Sequence, residues 1–207
     1  MPACDALQQC AAEPGRLSGP LRDLEVLLAH LQTLDMHKAV SERRSRLLQG
    51  YTDLLASTQL RSLFDALDRW PTLWRQAEAN AELRGVRKQV KRRLAKQQRR
   101  LAAALADPAH DRHRLRLLIK RVRYSAEAYP ALEGLSAEAQ SRLKQAQSAL
   151  GDWHDHLQWL AHAEQEGDLA PCVEAWRSAL QEAERQADQA LLALQACFPP
   201  TTPADDG

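Results

Sequence analysis

Apolar residues recur along most of this chain at intervals of three and four, the period of amphipathic helices, and no convincing alternating strand pattern competes with them. The clearest stretch runs from His113 to Glu127. Leu115, Leu118, Ile119, Val122, Ala126 and then Tyr129 define its buried face. At about 100° per residue, His113, Arg116, Lys120, Arg123 and Tyr124 gather on roughly the opposite side. The spacing predicts a helix that holds a line of cations away from the core anchoring it.

Taken in order, the chain reads as a succession of such helices. Residues 1–16 hold Pro2, Pro14 and Gly15 without a long periodic face, so a flexible, frayed lead or at most a short helix is expected. Ser18-Gly19-Pro20 reads as a helix start, followed by the face Leu21, Leu24, Leu27, Leu28 and Leu31 and an end near Leu34. Further helices are expected from about Lys38 to Ala56 and from near Thr58, with a break or kink at Trp70-Pro71. From about Leu73 to Leu105 the pattern is continuously helical, with Leu83, Val86, Val90, Leu94, Leu101 and Leu105 as its seam. Asp107-Pro108 closes this segment and marks the expected midpoint. The cation-bearing helix then runs to Tyr129-Pro130. Ser136 reads as an N-cap before an acidic first turn. Helices continue to about Glu164, break at Gly167, and run from about Pro171 to Cys197. Residues 198–207, rich in proline, are expected to be a flexible tail.

Composition supports this all-α reading: 44% of the 207 residues are apolar, enough for a real core, while aromatics make up 5% and there are 8 glycines. The formal net charge of +1 hides a strong segregation. Between Arg84 and Arg123 fifteen Lys and Arg stand against Asp107 and Asp111, a local balance of +13 that leaves −12 for the remainder. Cys4, Cys10, Cys172 and Cys197 lack zinc-site spacing and are too scattered for a disulfide framework, so a reducing compartment is expected. No signal peptide is visible, and no apolar run approaches the roughly 20 residues that span a bilayer, so the expected location is the cytoplasm.

A short internal repeat emerges when Gly19 is laid on Gly151: Asp23 then falls on Asp155 and Leu28 on Leu160. It suggests two similar helical units in tandem. The pattern His113-x-x-Arg116-x-x-x-Lys120-Arg121-x-Arg123-Tyr124-x-x-Glu127, followed by Leu150-Gly151-Asp152-x-His154-Asp155, resembles the CHAD family, the conserved histidine α-helical domain. The resemblance covers the second half well and reaches back weakly to Leu17.

That resemblance implies tandem antiparallel bundles, two four-helix units related by pseudo-symmetry, within one domain over 17–197 (units 17–106 and 109–197). It also implies a basic surface that binds inorganic polyphosphate without catalysis, associated with polyphosphate granules or with an enzyme that makes or cuts the polymer. His113, Arg116, Lys120, Arg121, Arg123 and Tyr124 would form the anion-binding motif. The family pattern also opens the first unit with a His- and Arg-rich helix before Gly19. Residues 1–16 contain Arg16 and no histidine, so that basic helix is expected to be missing and the first unit incomplete. Among the seven cations from Lys88 to Arg100, Lys91, Arg92 and Lys96 are the expected compensating contacts, the rest being solvated bystanders.

The residues themselves support polyanion binding. Like charges at i, i+3 and i, i+4, such as Arg116 with Lys120 and Lys120 with Arg123, destabilise a bare helix by roughly 0.2–0.5 kcal/mol per pair, and a multivalent anion would relieve them. Each Lys or Arg that meets a phosphate releases condensed counterions, which makes binding salt-dependent, and arginine adds bidentate contacts. The competing reading is a solvated face that keeps an Ala/Leu-rich bundle soluble. His113 either caps the helix start near Asp111 or, protonated, joins the cationic line; Tyr124 either donates its hydroxyl to an anion or packs. His154, Asp155 and His156 are poor metal ligands, because two histidines two apart on a helix diverge by about 200°; His154 and Asp155 instead read as hydrogen-bonding at a helix start. The tryptophans read as packing residues. No cofactor is expected. No phosphate-binding loop, nucleophile elbow or HExxH motif is present, so no enzyme is expected either. Two rivals remain: a nucleic-acid binder, which shares the electrostatics, and a scaffold for an acidic protein.

Overall fold

The computed structural model of the chain describes residues 2–132 and 134–199. Among them are seven α-helices, one short 3-10 helix and no strand. They form two compact units that divide between Arg84 and Gly85.

The first unit consists of α1 (Pro2–Thr33), α2 (His37–Ala56) and α3 (Thr58–Ala79). α1 is its centre and packs on both others. The buried apolar side chains are Leu27, Leu28 and Leu31 of α1, Ala39, Val40 and Leu47 of α2, and Ala77 of α3. Residues 2–16, expected as a flexible lead or at most a short helix, are the first half of α1, which carries Pro14 and Pro20 inside it. The Ala- and Gln-rich lead has good helix propensity, and Pro14 is itself buried, so packing outweighs the local breaker.

α3 likewise continues through Pro71, so the break or kink expected at Trp70-Pro71 is not a break. A proline costs an interior helix about 3 kcal/mol, but here the apolar face resumes on both sides of it. The Trp70 and Trp74 rings flank it 6.1 Å apart, and Ala77, nearly two turns on, is buried. The chain turns later. Ala81 (φ 58°) and Gly85 (φ 77°) adopt left-handed backbone, and the Glu82 N–H closes on the Ala77 carbonyl at 2.9 Å. Such φ values are open to glycine but uncommon for alanine, so Ala81 holds a backbone conformation that its own local preference does not favour. The expected continuous helix from Leu73 to Leu105 is therefore two helices. The boundary of the units falls before the second of them instead of at Asp107-Pro108, and the first unit has three helices and ends at residue 84.

The second unit contains α4 (Val86–Ala106), α5 (Arg112–Ala128), α6 (Ala137–Gln165), the 3-10 helix Gly167–Cys172 and α7 (Val173–Gln195). α5 packs between α4 and α6, and α7 closes the bundle against α6 and α4. Leu101 of α4, Ile119 and Val122 of α5, Leu143, Ala146 and Leu150 of α6, and Ala187 and Leu194 of α7 share one core cluster. The punctuation read from sequence largely holds here. Asp111 caps α5 by accepting the Arg114 N–H at 2.8 Å, and Ser136 caps α6 by accepting the Ala139 N–H at 3.1 Å, contacts worth about 1 kcal/mol each.

Two expectations fail at the edges. Phe198, assigned to a flexible tail, is buried in the core cluster; residues 200–207 lie outside the described residues. Tyr129, assigned to the buried face of α5, is 45% exposed because it is the C-cap, where the backbone has left the helical register.

Candidate functional site

α5 is anchored by Leu115, Ile119, Val122 and Ala126, all buried, so the rotation of every other side chain about its axis is fixed. From Ile119 the helical step places Arg116, Lys120 and Arg123 at about 40–100° to one side, with His113 and Tyr124 beyond them. That side faces α6. The Arg123 Nε donates to Gln147 Oε1 of α6 at 2.7 Å, and the His113 and His154 rings lie 5.4 Å apart between the same two helices. Arg116, Lys120 and Arg123 are half-buried, not fully solvated as a solubilising face would be.

The cationic line thus runs alongside α6, and we refer to the α5–α6 seam, with the cavity at its Arg123 end, as the groove. Lys144, Gln147, Gly151 and His154 recur on α6 at intervals of three and four, and the Arg123–Gln147 and His113–His154 contacts fix the two helices in antiparallel register. Gly151 consequently lies opposite the Arg116–Lys120 turn. It sits in the interior of the 29-residue α6, since Ser136 caps that helix and a single glycine costs only about 0.5–1 kcal/mol relative to alanine. His154 and Asp155, read as hydrogen-bonding at a helix start, are interior too. At the far end of the groove a cavity of about 340 Å³ is lined by Arg123, Glu127, Gln140, Ser141 and Lys144.

The cations of the groove differ in how they are held. Arg123 donates Nη1 to Glu127 Oε1 at 2.5 Å, and its guanidinium carbon lies 4.5 Å from the Tyr124 ring centre. The hydrogen bond with Arg123 leads the effects that hold the Tyr124 phenol below the usual tyrosine range, outweighing partial burial; Gln147 and Lys120 act in the same direction. Arg116 and Lys120, by contrast, have no ion-pair partner among the described residues, and the Arg116 Nε is buried without a hydrogen bond. A buried guanidinium nitrogen without an acceptor is costly, by about 1–3 kcal/mol, unless something outside the chain completes it. Beside Gly151, burial raises the Asp152 carboxyl above its ordinary value while His156 draws it down.

Not all the residues expected at the site converge there. Arg121 is exposed, and the helical step sets it on the far side of α5 from Arg123. Lys91, Arg92 and Lys96 are exposed on α4, a helix that packs against α5 and α7, so none reaches the α5–α6 groove. His113, Arg116, Lys120, Arg123 and Tyr124 are brought together. Lys144 and Gln147 were missed, although their spacing with Gly151 and His154 on one α6 face is a legible signal. Arg112, next in sequence to His113, belongs elsewhere: it pairs with Asp188 of α7 at 2.6 Å and Glu184 at 3.5 Å.

No group of three or more His, Cys, Asp or Glu among the described residues is placed to hold a metal ion, and no described helix is long and apolar enough to cross a membrane. His156 Nδ1 lies 2.7 Å from the Asp152 carbonyl oxygen of its own helix. The site is a cation- and amide-lined groove on an all-helical protein. The chain belongs to the CHAD domain family, whose profile matches residues 1–164. No curated protein and no solved structure gives a significant match.

Proposed function

We propose that this protein binds inorganic polyphosphate, without cleaving it, in the α5–α6 groove of its second unit. Membership of the CHAD domain family is consistent with a polyphosphate-related function. The observation that carries the finer reading is the pairing of half-buried, unneutralised Arg116 and Lys120 with the α5–α6 cavity that Arg123 and Lys144 line further along the same face. A solubilising face would leave such cations extended into water; these are partly desolvated, at a cost that a chain of phosphates offsets. From His113 to Arg123 the axial rise is about 15 Å, room for several consecutive phosphates. Guanidinium forks, an ammonium and the Tyr124 hydroxyl suit phosphoryl oxygens, and Glu127, the carboxylate in the cavity lining, is engaged with Arg123.

In this reading the protein is a non-catalytic module of the cytoplasm that tethers to polyphosphate granules or to enzymes acting on the polymer. Nucleic acid is the competing polyanion, and an acidic protein the other competing partner. The test is a titration with polyphosphate at two salt concentrations, with competition against labelled DNA and RNA. Polyphosphate should bind more tightly per phosphate and displace both. Failure to displace them, or equal binding at equal phosphate concentration, would sink the proposal. Replacing Arg116, Lys120 and Arg123 together by Ala should flatten the salt dependence with helicity intact; unfolding instead would assign these residues to the core.

A further inference from the structure

Gly151 stands in the middle of α6, where glycine is disfavoured, and nothing in the fold demands it. Its φ is not in the left-handed region, and a Cβ built there would meet no atom within 4 Å. Gly50 shows the contrast: a Cβ there would run into the Leu21 side chain at the α1–α2 contact. Helix geometry offers no reason for Gly151, and neither does packing. Yet it lies on the α6 face between Gln147, bonded to Arg123, and His154, beside His113, and so across from Arg116 and Lys120. By the same register, a side chain at position 151 would extend from α6 on the side that carries those two cations. The buried Arg116 Nε, which has no acceptor, is a second and independent sign that a group is missing from this side of α5.

We infer that Gly151 is a specificity-determining residue: its missing side chain forms a notch in the wall of the groove that lets a phosphoryl group approach the α6 backbone closely enough to be held by Arg116 and Lys120 together. The inference rests on the polyphosphate reading of the groove and adds to it the position and steric limit of one subsite. A slender, repeating tetrahedral anion fits such a notch. The wider sugar-bearing backbone of DNA or RNA does not, so the notch also separates the two classes of polyanion.

The test uses Gly151→Ala and Gly151→Met, both good helix formers, with Gly15→Ala as a control; Gly15 is also a helical glycine with nothing within 4 Å of a built Cβ. The intact chain is titrated with long-chain polyphosphate and with tripolyphosphate, and thermal unfolding is recorded. The Gly151 variants should melt about 2–4 °C higher than the unsubstituted protein. Polyphosphate affinity should nevertheless fall about threefold for Ala and tenfold or more for Met, with DNA binding unchanged and Gly15→Ala binding normally. Undiminished polyphosphate binding by Gly151→Met overturns this inference and leaves the polyphosphate reading standing. A lower melting temperature for Gly151→Ala also overturns it, because the space would then belong to the fold. Absence of polyphosphate binding by the unsubstituted chain overturns the polyphosphate reading itself.

Discussion

The Arg123 guanidinium reaches across from α5 to Gln147 on α6 at 2.7 Å while holding Glu127 of its own helix at 2.5 Å. It is positioned and neutralised before any ligand arrives, whereas Arg116 and Lys120, on the same face, have no ion-pair partner among the described residues. The groove therefore offers a fixed end and an open end, and the two should respond differently to substitution.

At the fixed end, the proposed polyphosphate binding would set an incoming anion in competition with Glu127 for Arg123. An Arg-before-Glu i, i+4 pair on a half-exposed surface contributes only about 0.2–0.5 kcal/mol, so Glu127→Gln should raise polyphosphate affinity about twofold at low salt, the gain fading as salt rises. Isothermal titration at several ionic strengths reads this directly. A loss of affinity would mean that Glu127 orients Arg123 for the ligand instead of occupying it.

Lys144 and Gln147 give the α6 wall its own tests. Lys144→Ala should lower the slope of log affinity against log salt by about one phosphate contact, since Lys144 lines the cavity with Arg123. Gln147→Leu keeps similar bulk and removes the acceptor, so it should weaken binding with little change in that slope. Equal slopes for Lys144→Ala and the unsubstituted protein would place Lys144 outside the site.

Tyr124 reports on the same cluster through its titration. Its phenol is held below the ordinary value near 10, first by Arg123, so in an ultraviolet titration it should ionise before free tyrosine, and Arg123→Ala should move it upward. The linkage has a definite sign. A depressed acid contributes stability that is fully present above its unfolded pKa and is lost as pH falls through its folded pKa, so any effect on unfolding is confined to the alkaline range. Polyphosphate affinity should drop over that range, because a phenolate puts a negative charge in the groove. A phenol that ionises at the free-tyrosine value would contradict the Arg123 contact.

The core makes a separate prediction. Ile119 is fully buried and sets the rotation of α5, so Ile119→Ala should cost about 2–5 kcal/mol in urea unfolding. Phe198→Ala should cost about 3–5 kcal/mol, far more than any change in a flexible tail. If Phe198→Ala unfolds at the urea midpoint of the unsubstituted protein, the packing of that segment on the bundle is wrong.

The linear pattern determined the helical class, the anchored face of α5 at Leu115, Ile119, Val122 and Ala126, the caps at Asp111 and Ser136, and the grouping of His113, Arg116, Lys120, Arg123 and Tyr124. All of these depend on a period or a cap spanning a few residues, and such signals survive without knowledge of the fold. Packing decided the rest. Pro71 stays inside a helix whose apolar positions resume after it, Pro14 stays inside α1 where it is itself buried, and the turn moved to Ala81 and Gly85. The same cause put α4 in the second unit and left Lys91, Arg92 and Lys96 away from the groove. A helical period fixes which residues share a face, but not which helix that face meets. Only the meeting of α5 with α6 set the cationic stripe against Gln147 and Lys144 and made the cavity that Arg123 and Lys144 share.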